Sequence, residues 1–479
     1  MSEPVDPDAP APTVDPVHEI RSPWSRSDRP LPRRVLRPLQ EYLQTSIASA
    51  SLLFVAVIGA LVWANSPWNA SYEALFGTRF QVRLGSLVDL DQDLHFWVND
   101  GLMTLFFLVV GLEIKREVVS GELREVGVAT VPILAALGGM LVPALLYLAI
   151  AGGNETGRGW GIPMATDIAF ALGVLALVGA HASPSLRPLL LTLAIVDDIG
   201  AIIVIAVFYT GGVEPAALFG AVAVIGVIAL ANVLHIRSLM VYVGLGALLW
   251  YATYRTGIHP TIAGVVLGLL TPAAPFQRAA AVSEEARRTA DETSDDPEPV
   301  DGDARWWLRL AWLSREAVSP LARTEHALLP WTSFVILPIF ALANAGVSLS
   351  PSVLADALTA PVTVGVFVGL VLGKPLGVLG GSSIAVRTGL GRLARDVGWG
   401  DLAGMGVTAG VGFTVALFVA ELAFDHGPRL SEAKVGILAG SLVAGIAGYV
   451  TMRLSPIPAA AGSDGATTDA VAAADADDQ

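Results

Sequence analysis

Long apolar windows, separated by short charged or Gly- and Pro-containing joints, recur along almost the whole chain. Windows of about 20 apolar residues span a hydrocarbon core about 30 Å thick. Candidates lie near residues 47–65, 97–113, 127–151, 161–180, 186–209, 215–233, 239–253, 257–272, 330–347, 361–385, 402–424 and 434–452. The pattern predicts an all-α polytopic membrane protein with about twelve transmembrane helices. One segment departs from it: RFQVRLGSLVDLDQDLHFW, at 79–97, alternates apolar and polar residues around Gly85. That period predicts a small β-hairpin on the extracytoplasmic side, between the first two helices.

Composition agrees, with 53% hydrophobic and 15% charged residues where a soluble domain carries about 25% charged. An even number of spans puts both termini on one side, and the excess of Lys and Arg identifies that side as the cytoplasm. Residues 1–40 hold Arg21, Arg26, Arg29, Arg33, Arg34 and Arg37, and the loops assigned to the same side add Lys115, Arg116, Arg124, Arg187, Arg237, seven arginines from Arg278 to Arg323, Arg387, Arg392, Arg395 and Arg453. The opposite side holds Arg79, Arg83, Arg158, Arg255, Arg429 and Lys434, which leaves Lys374 within the membrane. Three segments are too polar to pack a core. Residues 1–44 and 456–479 are expected to be disordered cytoplasmic tails. Residues 275–322 form a polar cytoplasmic insert, expected to be disordered as well, within a transmembrane domain over 45–455.

The absence of cysteine excludes disulfides and thiolate chemistry, and no apolar h-region of a signal peptide is visible. The net charge of −14 resides largely in the polar segments, so it points to no basic partner and to no nucleic acid. Patterns for a phosphate-binding loop, a zinc site or a Ser-His-Asp enzyme do not appear, and no cofactor is expected.

Candidate chemistry begins with Asp197 and Asp198, side by side in LRPLLLTLAIVDDIGAIIVIAVFYT. A charged side chain at mid-membrane costs about 2.5–3.5 kcal/mol on insertion scales and usually marks an ion or proton path. Burial and a like-charged neighbour both favour the neutral form of a carboxylate. A proton and a hard cation such as Na+ therefore compete for these oxygens, and the pair reads as a cation site that also binds protons. A satisfied buried polar pair is the bland alternative.

Asp167 lies in GWGIPMATDIAFALG, where Gly161, Pro163 and Thr166 weaken a continuous helix. A carboxylate at such a break compensates the positive end of a half-helix. DLAGMGVTAGVGF, in the eleventh window, has a matching interruption at Gly404, Gly406, Gly410 and Gly412. Two broken spans at corresponding places point to inverted repeats, although glycine also serves ordinary helix packing. Lys374, before Pro375, is one of three lysines among 29 basic residues. Lys deprotonates when buried and Arg does not, so Lys374 is either a fixed counter-ion or a proton carrier. Glu113, Arg116 and Glu117 close the second window, Glu325 and His326 open the ninth, and His259 lies near the start of the eighth. These groups can form a pH-sensing charge cluster, or simply anchor helix ends.

The motifs GLEIKRE, ATDIAFALGVLALVG, LAIVDDIGAI, TGIHPTIAGV, LPIFALANAGVSL, LGKPLG and GVGFTVALFVAELAF, in this order, resemble the NhaA family of sodium/proton antiporters. By this resemblance spans four and eleven are broken and crossed, and Asp198 and Asp197 bind Na+ or Li+ and protons with Asp167 and Thr166 beside them. Lys374 pairs with Asp197 or carries a proton. The resemblance implies electrogenic, pH-regulated exchange of internal sodium for external protons by alternating access in the bacterial plasma membrane, by homodimers joined through the hairpin at 79–97. One departure concerns regulation: Leu329 stands before Pro330 and Trp331 where well-known members carry a second histidine. A cation channel is the alternative transport class. A membrane-embedded di-aspartyl hydrolase is disfavoured, because adjacent acids on one helix diverge by about 100 degrees.

Overall fold

The computed structural model describes residues 46–85, 88–124, 126–236, 238–292, 301–394, 396–424 and 427–455. The expected tails and the centre of the insert lie outside these residues. The described residues are mostly helical. In order it runs through α1 (Ser46–Ala64), α2 (Met103–Ser120), α3 (Val126–Ala151), α4 (Ile168–Val178), α5 (Leu186–Phe208), α6 (Pro215–Val233), α7 (Leu239–Thr256) and α8 (Thr261–Leu270). The insert contributes α9 (Ala279–Glu292) and α10 (Asp301–Glu316). After it come α11 (Pro320–Asn344), α12 (Pro361–Arg387), α13 (Trp399–Thr408), α14 (Phe413–Ala423) and α15 (Pro428–Leu454).

Helix falls on each of the twelve expected windows. Eight helices among the described residues are long and apolar enough to cross a membrane, and the pair α13 and α14, bent by 46°, makes a ninth. Two of the other three have local reasons for falling short. Helix α2 ends in Glu113, Lys115, Arg116 and Glu117, and the ten residues of α8 rise only about 15 Å.

Between α1 and α2, β1 (Arg79–Leu84) and β2 (Val88–Asp93) pair antiparallel in the register Arg79↔Asp93 to Leu84↔Val88. Gly85 turns the chain at φ +57°, a conformation glycine adopts without strain. The hairpin is shorter than 79–97. Asp93 leaves the strand and caps the next helical turn, accepting from Phe96 N at 2.8 Å.

Helix contacts in the bundle rely on small residues, since lipid supplies little hydrophobic drive between helices. A Cβ at Gly138 of α3 would collide with the Gly377 carbonyl of α12, and one at Gly381 with the Leu134 carbonyl. The insert was expected to lack structure because it is polar, yet Ala, Glu and Arg are strong helix formers. Its two helices lie together, with Arg309 3.3 Å from Glu285. Both ends of the insert meet, because Phe276 N and Gln277 N each donate to Glu316 O at 3.1 Å.

Candidate cation site

Two helix interruptions face one another inside the bundle. Before α4 the chain forms a 3-10 helix (Gly157–Met164) and then an extended stretch at Ala165, Thr166 and Asp167. Between α13 and α14 the residues Ala409, Gly410, Val411 and Gly412 leave the helix. Extended backbone exposes polar groups that must be satisfied within the protein. Asp167 N donates to Val411 O at 2.7 Å, and Thr166 Oγ1 lies 3.0 Å from Ala409 O.

Asp167 is the N-cap of α4, with Oδ1 accepting from Phe170 N at 3.0 Å. Its Oδ2 accepts from Thr414 N at 3.1 Å and from Thr414 Oγ1 at 2.5 Å, at the start of α14. One carboxylate therefore serves two helix N-termini, each worth about half a positive charge.

Asp197 lies on α5 opposite this junction. Its Oδ2 accepts from Lys374 Nζ at 2.6 Å and from Thr166 Oγ1 at 2.7 Å. Both members of the ion pair are fully buried. Its Oδ1 is buried without a partner. Lys374 arrives from α12 just after a π turn (Gly369–Gly373), where Lys374 N–H bonds Gly369 O five residues back. Pro375 has no N–H to continue the normal ladder, which gives the widened turn a cause. π turns of this kind often occur at functional positions.

Asp198, the next residue, is 5% exposed and has no hydrogen-bond partner among the described residues. Two helix dipoles offset Asp167, and Lys374 offsets Asp197. Asp198 alone of the three makes no hydrogen bond or ion pair among the described residues. No three His, Cys, Asp or Glu side chains converge as a metal cage among the described residues. The unpartnered Asp197 Oδ1 and the Thr166 hydroxyl are hard oxygen donors of the kind that suit an alkali cation.

The expected pH-sensing residues are only partly brought together. Arg116 forms an ion pair with Glu325 and lies 3.8 Å from Glu117, with Glu113 one turn before on α2. His326 is exposed. His259 is elsewhere: its Nδ1 lies 3.7 Å from Asp100 Oδ1, thirteen residues before Glu113. That is about 20 Å along the helix, on the hairpin side, because the turn after α7 returns there. Two residues missed in the sequence extend the cluster. Glu117 accepts from Glu122 N at 3.1 Å, and Thr192 on α5 lies 3.3 Å from Glu122 Oε2. The cluster thereby touches the helix that carries Asp197 and Asp198.

A family model described as Na+/H+ antiporter 1 matches residues 40–452. A Na(+)/H(+) antiporter NhaA 2 of Sorangium cellulosum is 48% identical over 449 residues, covering 92% of this chain and 95% of the relative. A Na(+)/H(+) antiporter NhaA of Anaeromyxobacter sp. is 46% identical over 433 residues, 89% and 93% of the respective chains. Among solved structures, the sodium proton antiporter MjNhaP1 from Methanocaldococcus jannaschii aligns with 89% of this chain and 100% of its own at a TM-score of 0.49 and 12% identity.

Proposed function

Because the chain belongs to the Na+/H+ antiporter 1 family and is a multi-pass sodium/proton antiporter, we propose that it moves internal Na+ or Li+ outward against external protons at Asp198. The observation that carries this reading is that Asp198 is the one acid of the three with no hydrogen bond or ion pair among the described residues, Lys374 being engaged with Asp197. A bound proton or a bound cation fills that need, and both cannot do so at once. Such competition at a single site is what obligatory exchange requires.

Asp197, Thr166, Asp167 and Lys374 complete the site in this reading. Asp197 Oδ1 shares the cation, and Thr166 and Lys374 hold Asp197 in place. Asp167 fixes the two broken spans, which cross there and rock to give alternating access. The resemblance supports a twelve-span bundle in the bacterial plasma membrane, both termini cytoplasmic, with electrogenic exchange and homodimers joined through β1 and β2. It also supports pH regulation by Glu113, Arg116, Glu117, Glu325 and His326. His259 faces Asp100 instead and stands apart from this cluster.

The test is proton efflux from energised inverted vesicles on addition of Na+, Li+ or K+ across a pH series. Na+ and Li+ are expected to collapse the gradient and K+ to leave it. Proton competition raises the apparent KM for Na+ as pH falls, by up to about tenfold per unit once the proton-bound form dominates. Sodium flux that ignores a collapsed proton gradient would instead indicate a channel.

A further inference from the structure

The two helices of the insert turn unlike faces outward. On α9, Val282 and Thr289 are buried, and the opposite side, with Ser283, Glu284, Arg287 and Arg288, is exposed and polar. Helix α10 reverses this. Trp307, Leu308 and Trp312 are 50%, 70% and 49% exposed. At about 100° per residue, these three and Ala311 fall within an arc of about 140° along one side of the helix. Arg315, also exposed, continues that side one turn nearer α11. On the flank, the Arg309 guanidinium lies 5.9 Å from the centre of the Trp306 ring while it bridges to Glu285 of α9.

The place of this ridge in the chain says what covers it. Glu316 ends α10 and Pro320 opens α11, which is long and apolar enough to cross a membrane. The base of the insert is fixed at that point, where Phe276 N and Gln277 N donate to Glu316 O and Leu321 N donates to Pro272 O, all at 3.1 Å. At its far end α11 reaches the hairpin side, where Asn344 and Asn99 exchange hydrogen bonds. Helix α10 therefore lies beside the opposite face of the membrane. Exposed apolar side chains go on from Val318 in the joint to Leu329, Trp331 and Val335 on α11, the surface that lipid covers.

The residue types fit the same neighbour. Tryptophan rings settle at the membrane–water boundary, being apolar in body and polar at one edge. An arginine beside them keeps its charge in water while its stem lies along apolar surface. A contiguous apolar ridge left in water is uncommon, and on α9 the positions that face water are polar.

We propose that the face of α10 formed by Trp307, Leu308, Ala311 and Trp312 is a bilayer-docking surface, immersed in the phospholipid interface on the side away from the hairpin, with Arg315 at the headgroups. Helix α9 rides above it with its polar face in water. The described part of the insert is nearly balanced in charge, with six arginines against seven acids over 278–292 and 301–316. Attraction to anionic headgroups therefore contributes little. Burial of the apolar side chains drives the docking, so a zwitterionic lipid is sufficient.

The test uses the full chain in phosphatidylcholine vesicles. Because the sequence has no cysteine, a single nitroxide attached through Ala311→Cys reports on the ridge of α10, and one attached through Ser283→Cys reports on the polar face of α9. Electron paramagnetic resonance compares collisions with oxygen, which partitions into lipid, and with a water-soluble nickel chelate. The label at 311 is expected to favour oxygen, at a depth of about 5–10 Å, and the label at 283 to favour nickel. Anionic lipid or added salt should change that depth little. Trp307→Ser with Leu308→Ser and Trp312→Ser should bring the label at 311 into water, whereas Trp307→Phe with Trp312→Phe should leave it immersed. A label at 311 as open to nickel as the one at 283 would overturn the docking surface. So would shielding from both reagents with dipolar broadening, which would mean that a second copy covers the ridge. Immersion that requires anionic lipid, or that survives the three serines, would equally reject apolar docking through this face.

Discussion

Asp167 takes both the backbone N–H and the hydroxyl of Thr414, at 3.1 and 2.5 Å, across 247 residues of sequence. This contact joins two interrupted helices at their positive ends, so one side chain stabilises both breaks. A hydrogen bond to a charged group contributes about 1.5–3 kcal/mol. Thr414→Val removes the hydroxyl and keeps the backbone donor, and is expected to lower the melting temperature and slow exchange moderately. Asp167→Ala removes both caps and should be worse by both measures. Melting curves of the detergent-purified proteins, run beside vesicle exchange, check the order; an Asp167→Ala protein as stable as Thr414→Val would reject the shared-cap role.

Asp198→Asn is expected to abolish exchange while leaving the fold intact. An amide neither titrates nor supplies the charge that offsets dehydration of a cation. Because Asp198 makes no hydrogen bond among the described residues, its replacement leaves no partner stranded. The measurement is Na+-dependent proton flux at matched expression, with a melting curve as control. Normal flux would dismiss Asp198 as the exchange site.

The acids and the lysine of the site were legible in the sequence because an ionisable group in an apolar window is expensive and must have a reason. Asp197, Asp198, Asp167 and Lys374 stood out on that ground and Thr166 as part of the helix break, and the structure brings Asp197, Lys374, Thr166 and Asp167 to one junction with Asp198 next in sequence. Thr414 did not, since a threonine at the start of an apolar helix looks ordinary and its partner is far along the chain. Nor did the π turn before Lys374, whose only local trace is Pro375. His259 was grouped with residues from the other end of α2, because a histidine beside a helix end does not reveal what it faces in space. The hairpin was read correctly from its alternation, but Asp93 ended it early by capping a helix. The insert was judged by its polarity alone, although its Ala, Glu and Arg content favours helix.

Gly138→Ala should destabilise the bundle by about 1–3 kcal/mol, the usual range for overpacking. Its Cβ would meet the Gly377 carbonyl, which belongs to the backbone of α12 and cannot rotate away. Helix α12 carries Lys374, so separating it from α3 should also raise the apparent KM for Na+. Gly220→Ala, where a Cβ would find open space, is the matched control. Equal melting temperatures for the two variants would show that this close approach is not required.

Replacing residues 278–315 by a short Gly- and Ser-containing linker should leave Na+ affinity unchanged. The chain enters and leaves the insert at one place, where Phe276 N and Gln277 N bond Glu316 O. A short linker can therefore close the gap without strain. A changed maximal rate at unchanged affinity would assign the two helices a regulatory part. Loss of Na+ affinity would mean that α9 or α10 supports the site directly.

Lys374→Arg separates the two roles open to this lysine. Arginine keeps the positive charge beside Asp197 but cannot give up its proton in the membrane. The geometry favours a structural role: Nζ is already 2.6 Å from Asp197 Oδ2 in a fully buried pair, and removing one partner of such a pair costs about 3–5 kcal/mol. On that basis Lys374→Arg should fold and still exchange Na+ for protons. Apparent affinity should change, because the Lys374 side chain runs close beside Gly139 of α3 and the larger guanidinium needs more room there. Lys374→Ala, which strands Asp197, should lose stability as well as exchange. The deciding measurement is the membrane potential generated by reconstituted vesicles: an Arg variant that exchanges Na+ but no longer generates a potential would make Lys374 a carrier of one of the transported protons.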